Sequence, residues 1–506
     1  MSRHLAKGSL MRFVKRAARV TPLLLALGLG GCSDFLDVNT NPNAPENAPI
    51  DIRLPGLEAS FIHSSYYGSV ALWGSEWTQQ WAFNGLARSY AEVENYELYD
   101  TDAATTWDYL YSRPGNASFT MARDASAESD MYYRGIAKLF YAWTFQLIAD
   151  LWGPAPYTEA FKPEIREPKY ESQQTIYNGI FANLDTAVTL LSSTNATARR
   201  PTTNDLLYAG DVAKWNKLAH FLQARAQLRV AYANGEDKVA RANKAIAALA
   251  GAFASNADDA DFTYPGGVNA RNPNYTFQDL RTAFVGSQYF IDMLKGRNDP
   301  RLPILYTPIL YDSIRGTGTA RRTFPAKPNT FVGHLAGSDQ TQADSTVSLI
   351  GPFFSNENAT LNVASYSDQK FTEAEARLIA SGAAAADAPY REGIRANMTK
   401  LGVAAAAIDA YIAARPALTA ASALREIITE KYIANFLKTE PWNDWRRTGL
   451  PVIPLVPQAV INTIPQRIRA PGSELSSNTA QVIAVGFPTG IEGMKVKLWW
   501  AGGDNK

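Results

Sequence analysis

Aromatic rings crowd one short stretch of this 506-residue chain. Residues 66–111 carry 12 of them: Tyr66, Tyr67, Trp73, Trp77, Trp81, Phe83, Tyr90, Tyr96, Tyr99, Trp107, Tyr109 and Tyr111. That is 26%, against 11% for the whole chain, so the stretch stands apart. Glu76, Gln79, Gln80, Asn84, Arg88, Asn95 and Asp108 lie among the rings. Flat apolar faces beside hydrogen-bonding groups suit the C–H faces and hydroxyls of a pyranose ring. Trp77, Trp81, Asn84 and Trp107 are therefore candidate ligand contacts, with Tyr289, Tyr306 and Tyr311 further along. Trp73, Trp77 and Trp81 fall four residues apart and would line one helix face, a pattern more often core than platform. Trp107 lies off that stripe, in the turn-prone run T-D-A-A-T-T-W-D, and is the better candidate.

A second chemistry belongs to the single cysteine, Cys32. Residues 1–31 carry Arg3, Lys7, Arg12, Lys15, Arg16 and Arg19 and no acid, then the apolar run L-L-L-A-L-G-L-G-G. A basic segment followed by a short apolar one is the layout of a secretory signal. The run is too short for a membrane span, which needs ~20 apolar residues. Cys32 follows Leu29-Gly30-Gly31, a context similar to a bacterial lipobox, whose cysteine accepts lipid. Acyl chains would turn a soluble chain into an anchored one. Residues 32–50 are rich in Asn and Pro and read as a flexible tether.

Other chemistries are thinly represented. His63, His220 and His334 are scattered, and no H-E-x-x-H, C-x-x-C, Walker loop or G-x-S-x-G elbow occurs. Asp258, Asp259 and Asp261 lack EF-hand spacing and read as a solvated acidic loop. No catalytic residue, metal site or cofactor site is assigned. The formal charge of +1 gives no footprint for nucleic acid. It is an average over two parts: without residues 1–31 the balance is 43 basic against 48 acidic.

The elements that must position these residues read as helices. Apolar residues three and four apart mark helices over residues 131–151, 172–191, 211–232 and 238–253, then 371–381, 390–401, 405–414 and 421–437. Between the two groups, residues 255–368 carry many Gly, Pro and Asn. Apart from a helix near 284–294 they read as loops and short strands, an inserted, ligand-facing part of the 51–506 body. The fold class is all-α: tetratricopeptide-like helix pairs with a loop-rich insert carrying short strands.

Several segments, in order along the chain, resemble the SusD/RagB family of outer-membrane nutrient-binding lipoproteins. They are C-S-D-F-L-D-V-N-T-N-P-N at 32–43, I-A-D-L-W-G-P-A-P-Y-T-E-A at 148–160 and A-K-W-N-K-L-A-H-F-L-Q-A-R at 213–225. N-P-N-Y at 272–275, N-D-P-R-L at 298–302 and S-Y-S-D-Q-K-F-T-E-A-E-A at 365–376 follow. The most specific are W-N-D-W-R-R-T-G-L-P at 442–451 and P-Q-R-I-R-A-P-G-S-E at 465–474, with Ala470 where the family usually has Tyr. The resemblance implies a lipid-anchored, surface-exposed outer-membrane protein that is not an enzyme. It implies capture of oligo- or polysaccharide, or another nutrient, and hand-over to a TonB-dependent, SusC-like transporter. It also implies that Trp442, Trp445, Arg446 and Arg447 are structural, as are Asp150 and Trp152. Read from residues alone, a surface glycan hydrolase with a helical body stays open.

Overall fold

Helix ends in this chain are set by side chains that the sequence places there. Ser172 accepts the N–H of Thr175 to start Gln173–Leu191, and Asp211 accepts those of Ala213 and Lys214 to start Val212–Val230. Asp237 and Ser365 do the same for Lys238–Leu249 and Tyr366–Ser381. Each cap satisfies backbone donors that the first turn leaves unpaired. The long helix Met131–Trp152 stops at Gly153, whose φ of +89° favours glycine. Gly382, at φ +86°, is the whole connection between Tyr366–Ser381 and Ala383–Lys400.

The computed structural model describes residues 48–505, apart from 64–68, 86–87, 282–283 and 317. The signal segment, Cys32, most of the tether, Tyr66 and Tyr67 lie outside the described residues. From Ile50 onward the described chain is one compact unit. Met131–Trp152 packs on Gln173–Leu191, that helix on Val212–Val230, and that one on Lys238–Leu249. Lys238–Leu249 meets Tyr366–Ser381, which pairs with Ala383–Lys400 and touches Ala423–Ala434. The two groups of helix pairs are thus one stack, although 116 residues separate Leu249 from Tyr366. Among the described residues the strands form four two-stranded antiparallel sheets, of which two lie wholly within the expected insert, one joins it to Trp81–Phe83 and one, near 155–171, lies outside it. Among the described residues, no helix is long and apolar enough to cross a membrane.

The insert is bound into the body rather than perched on it. Trp81–Phe83 pairs with Phe284–Gly286, joining the aromatic segment to the insert. Phe284, Phe290 and Tyr306 belong to the main hydrophobic core. In the N-D-P-R-L motif, the buried Arg301 reaches Asp299 at 2.6 Å and Glu430 of the helix Ala423–Ala434 at 2.6 Å. Asp258, Asp259 and Asp261 are not a solvated loop. Lys217 holds Asp258 at 2.8 Å, and Lys400 holds Asp259 and Asp261, with the first two carboxylates buried.

A second buried ion network surrounds the helix Glu440–Thr448, which carries W-N-D-W-R-R. Arg447 meets Asp444 at 2.6 Å and Glu375 with both nitrogens, while Lys431 lies 3.2 Å from Asp444. Glu440 accepts from Arg229 at 2.5 Å. Arg446 lies 3.5 Å from the Trp442 ring centre and 4.6 Å from that of Trp500, and donates to the Asp150 carbonyl at 2.6 Å. Trp442 is fully buried, its indole N–H donating to the Pro465 carbonyl, whereas Trp445 is half-buried. Trp442→Ala is expected to cost about 3–5 kcal/mol in urea unfolding, as for other buried aromatic truncations, and Trp445→Ala less.

One buried acidic pair behaves differently. Glu76 and Glu94 come from neighbouring helices, Ser69–Trp77 and Arg88–Glu94. Glu94 accepts the N–H groups of Phe83 and Gly337 at 2.8 and 2.7 Å, while neither Glu76 oxygen has a hydrogen-bond partner among the described residues. Burial pushes the Glu94 carboxyl up to about 7, and burial together with the Glu94 charge pushes Glu76 up as well. The folded chain therefore holds more protons than the unfolded chain above the ordinary glutamate value of ~4.3. The stability these neutral groups contribute is complete below that value and is lost as pH rises through about 7. Glu76→Gln should make the melting temperature fall less between about pH 5 and pH 8 than in the unaltered protein. An equal fall in both proteins would contradict a neutral Glu76.

Candidate functional site

A cleft of about 680 Å³ has Trp107 in its wall. Trp107 sits not in a turn but in the helix Asp100–Leu110. Asp100 and Asp102 occupy the first turn, where the helix dipole favours acids, and the Asp102 carboxylate accepts the Tyr99 N–H at 3.2 Å. The next five residues, Tyr111–Gly115, form a π turn containing Pro114. Proline has no N–H to give the ladder, and the wider turn absorbs it. The helix then resumes as Asn116–Asp124. Through this change of register Trp107, Tyr111, Asn116 and Phe119 all reach one cleft.

The facing wall is the loop between Ala155–Pro156 and Tyr170–Glu171, two short strands that pair and close it. Phe161 projects from this loop with φ +61°, a left-handed conformation that a bulky residue seldom adopts. Its ring lies 5.2 Å from that of Phe119 and 6.0 Å from that of Tyr111. A methyl group at Gly115 would meet the Phe161 ring at 2.9 Å, so the π turn ends on the one residue that admits the ring. Tyr111 donates to the Pro156 carbonyl at 2.7 Å, and burial pushes its phenol well up. Polar groups complete the lining: Asp108, Glu159 and Glu474 as acids, Arg123 and Lys162 as bases. Glu159 is held below its ordinary value, first by the Lys169 N–H it accepts.

The P-Q-R-I-R-A-P-G-S-E motif holds this cleft together. Arg467 donates to the Trp152 carbonyl. Arg469 meets Asp100 at 2.6 Å and the Leu98 carbonyl at 3.0 Å. Ser473 donates to Asp108 at 2.8 Å, and Glu474 accepts from Tyr170 at 2.8 Å. Tyr170 in turn stacks on Trp107, with ring centres 6.1 Å apart and planes within 15°. Trp152 meets Trp107 edge-on at 5.1 Å. Trp107 is consequently only 3% exposed and leaves little surface for a ligand. Phe119, Phe161 and Tyr111 are half-buried and offer more surface.

The other candidate contacts are dispersed. Trp77 is fully buried beside Trp73 and donates to the Val93 carbonyl at 2.8 Å, which leaves no face for a ligand. The helix ends at Trp77, Gln79 turns with φ +54°, and Trp81 begins a strand, so the three tryptophans do not share a helix face. Trp81 is 3% exposed against Phe284 and Phe277, and its indole N–H has no hydrogen-bond partner among the described residues. Asn84 is spent on Gln342, accepting its N–H and donating to its carbonyl, each at 2.8 Å. Tyr306 is fully buried and donates to the Gln80 carbonyl. Tyr289 is half-buried and donates to the Val452 carbonyl at 3.0 Å, and Tyr311 is half-buried in the hairpin of Tyr311–Arg315 and Arg322–Pro325. Of these candidates Trp107 alone lines the large cleft.

Comparison with known families gives a match over residues 62–471 to the SusD-like family, described as starch-binding and associating with the outer membrane. The chain belongs to that family. SusD-like proteins are binding proteins rather than enzymes, they associate with the outer membrane, and they partner TonB-dependent transporters in nutrient uptake. A solved structure titled a chitin-binding protein is 25% identical with a TM-score of 0.75, covering 88% of this chain and 99% of that one. A chitin-binding SusD homolog from Flavobacterium johnsoniae is 23% identical with a TM-score of 0.74, covering 89% and 98%. A SusD/RagB family protein from Bacteroides thetaiotaomicron is 24% identical with a TM-score of 0.72, covering 90% and 100%. No curated protein matches the chain.

Within this SusD-like chain, sequence reasoning missed Phe119, Phe161 and the basic residues Arg123 and Lys162. One signal was present: R-P-G at 113–115, inside an otherwise helical run, marks a backbone irregularity of the kind that gathers side chains at a site. Gly115→Ala should press the new methyl on the Leu110 carbonyl and the Phe161 ring and cost about 1–3 kcal/mol, as overpacking does, read as a lowered melting temperature. An unchanged melting temperature would show that both the π turn and the ring can give way.

Proposed function

We propose that this SusD-like protein captures carbohydrate in the Trp107 cleft and passes it to a TonB-dependent outer-membrane transporter. The supporting observation is the cleft itself. Its volume of about 680 Å³ falls in the range that encloses small-molecule ligands. Its half-buried rings Tyr111, Phe119 and Phe161 stand beside Asp108, Asn116 and Glu159. Apolar faces take the C–H groups of a sugar, and the polar groups take its hydroxyls. Two of the similar structures are titled chitin-binding, which makes N-acetylglucosamine oligomers a first probe. Cys32, in its lipobox-like context, is the anchoring residue of this reading, and the Asn/Pro-rich residues after it are the tether.

Native gels loaded with chitin oligomers, starch, xylan and polygalacturonate test the reading. Migration of the mature protein should slow in at least one, without release of reducing sugar. Phe119→Ala should abolish that retardation while lowering stability only modestly, because the ring is half-buried. Trp107→Ala is a poorer probe: with 3% exposure, its truncation should cost about 3–5 kcal/mol whatever it does to binding. Retardation that survives Phe119→Ala would move the ligand elsewhere on the protein.

A further inference from the structure

A second cavity adjoins the Trp107 cleft at Phe119. This second lobe has a volume of about 370 Å³. Phe119, Arg123, Ala160 and Lys162 line both lobes. The two differ in charge. Asp108, Glu159 and Glu474 line the first lobe beside Arg123 and Lys162. The second is lined by Arg123, Lys138 and Lys162 and by no carboxylate.

The nearby acids are already engaged. Asp124 is shared between Arg53 at 2.8 Å and Arg123 at 2.7 Å. Glu171 accepts the Thr158 N–H at 2.7 Å and the Thr158 hydroxyl. Glu159 is taken by the Lys169 N–H at 2.9 Å and the Lys169 ammonium at 3.5 Å. Glu128 lies 3.6 Å from Arg134. Lys138, from the helix Met131–Trp152, is half-buried and has no carboxylate partner among the described residues. Burial and the charge of Arg134 pull its ammonium below the ordinary lysine value, the mark of a cation that lacks a counter-charge. Tyr157 accepts from Asn183 at 3.0 Å, and its own hydroxyl proton finds no acceptor among the described residues. Arg123 is answered by Asp124 and Lys162 is shared with the first lobe, so the groups left to this lobe alone are the Lys138 ammonium and the Tyr157 phenol, and no carboxylate lines it.

We propose that this second lobe binds an anionic substituent, a carboxylate or a sulfate ester, on a sugar whose neighbouring ring lies in the Trp107 lobe. The proposal rests on the reading of the cleft as a glycan site and names the class of glycan it takes: an acidic one. An ammonium partly withdrawn from water gains more from an anion than an exposed one does. Lys138 lines the second lobe and not the first, so it selects the charged unit and sets its position along the chain.

Calorimetric titration of the mature protein tests this with two matched pairs. Oligogalacturonate and its methyl ester read a carboxylate; chondroitin sulfate and its desulfated form read a sulfate. N-acetylglucosamine oligomers of equal length serve as the neutral control. In at least one pair the charged member should bind about tenfold more tightly, the size of one charge-assisted hydrogen bond, and the gap should shrink with added salt. Lys138→Met should erase the gap and Lys138→Arg should keep it. Equal affinities within both pairs, or a preference that survives Lys138→Met, would overturn the proposal. If neutral oligomers bind and neither charged member gains, glycan capture stands and the anionic lobe falls. If no sugar binds at all, both readings fall.

Discussion

Two adjacent guanidinium groups, Arg446 and Arg447, hold the stack of helices to the segments that close it. Consecutive helical residues point about 100° apart, so a neighbouring pair serves two different sides. Arg447 faces Glu375 and Asp444 and ties the helix Glu440–Thr448 to Tyr366–Ser381. Arg446 lies between the rings of Trp442 and Trp500 and donates to the last-turn carbonyl of Asp150. All these groups are buried, so their desolvation offsets much of the attraction between them. Their consequence is geometric. Removing one partner leaves a charge uncompensated inside the protein, so each helix tolerates one position against its neighbours.

That constraint reaches the cleft through the end of the helix Met131–Trp152. Arg446 fixes the Asp150 carbonyl, and Arg467 fixes that of Trp152. The Trp152 ring, whose N–H donates to the Arg469 carbonyl at 2.9 Å, is the edge-on neighbour of Trp107. Gly153 then turns the chain into Ala155–Pro156, which carries the Phe161 loop. Both family-specific motifs therefore act on the same few residues from opposite sides. W-N-D-W-R-R holds the helix end, and R-I-R-A-P-G-S-E clamps the helix Asp100–Leu110 against it. Neither motif contributes a ring to the cleft.

The long helices were legible because their apolar residues recur at helical spacing and because Ser or Asp stands at the start. Residues 131–151 and 172–191 became Met131–Trp152 and Gln173–Leu191, each within a residue or so of the expected bounds. The helix expected to begin at 390 begins instead at Ala383, since Pro389 is accommodated inside it. Trp107 was misplaced because T-D-A-A-T-T is polar and partly β-branched, with no apolar period to reveal a helix. What holds that segment helical is tertiary: Arg469 on Asp100 and Ser473 on Asp108, more than 360 residues away in sequence. The stripe Trp73, Trp77, Trp81 failed for the opposite reason. Its spacing was helical, but a left-handed Gln79 breaks the helix before the third ring.

Ring density marked a region without saying which rings face a ligand. Rings from 66–111 such as Trp77 and Tyr96 are fully buried, and of the two that line the cleft Trp107 is 3% exposed and Tyr111 half-buried. The other two rings with surface to offer, Phe119 and Phe161, lie outside that dense stretch. Both owe their placement to backbone irregularity: a π turn built around Pro114 and a left-handed residue at 161. Such conformations persist where surrounding structure over-determines them. Here the over-determination is visible, since the Phe161 ring rests against Gly115 and against Phe119, Tyr111 and Tyr141. The regular helices and their buried charges supply rigidity, and the irregular turns between them aim the side chains. A composition count records how many rings are present; the direction each one faces is decided at those turns.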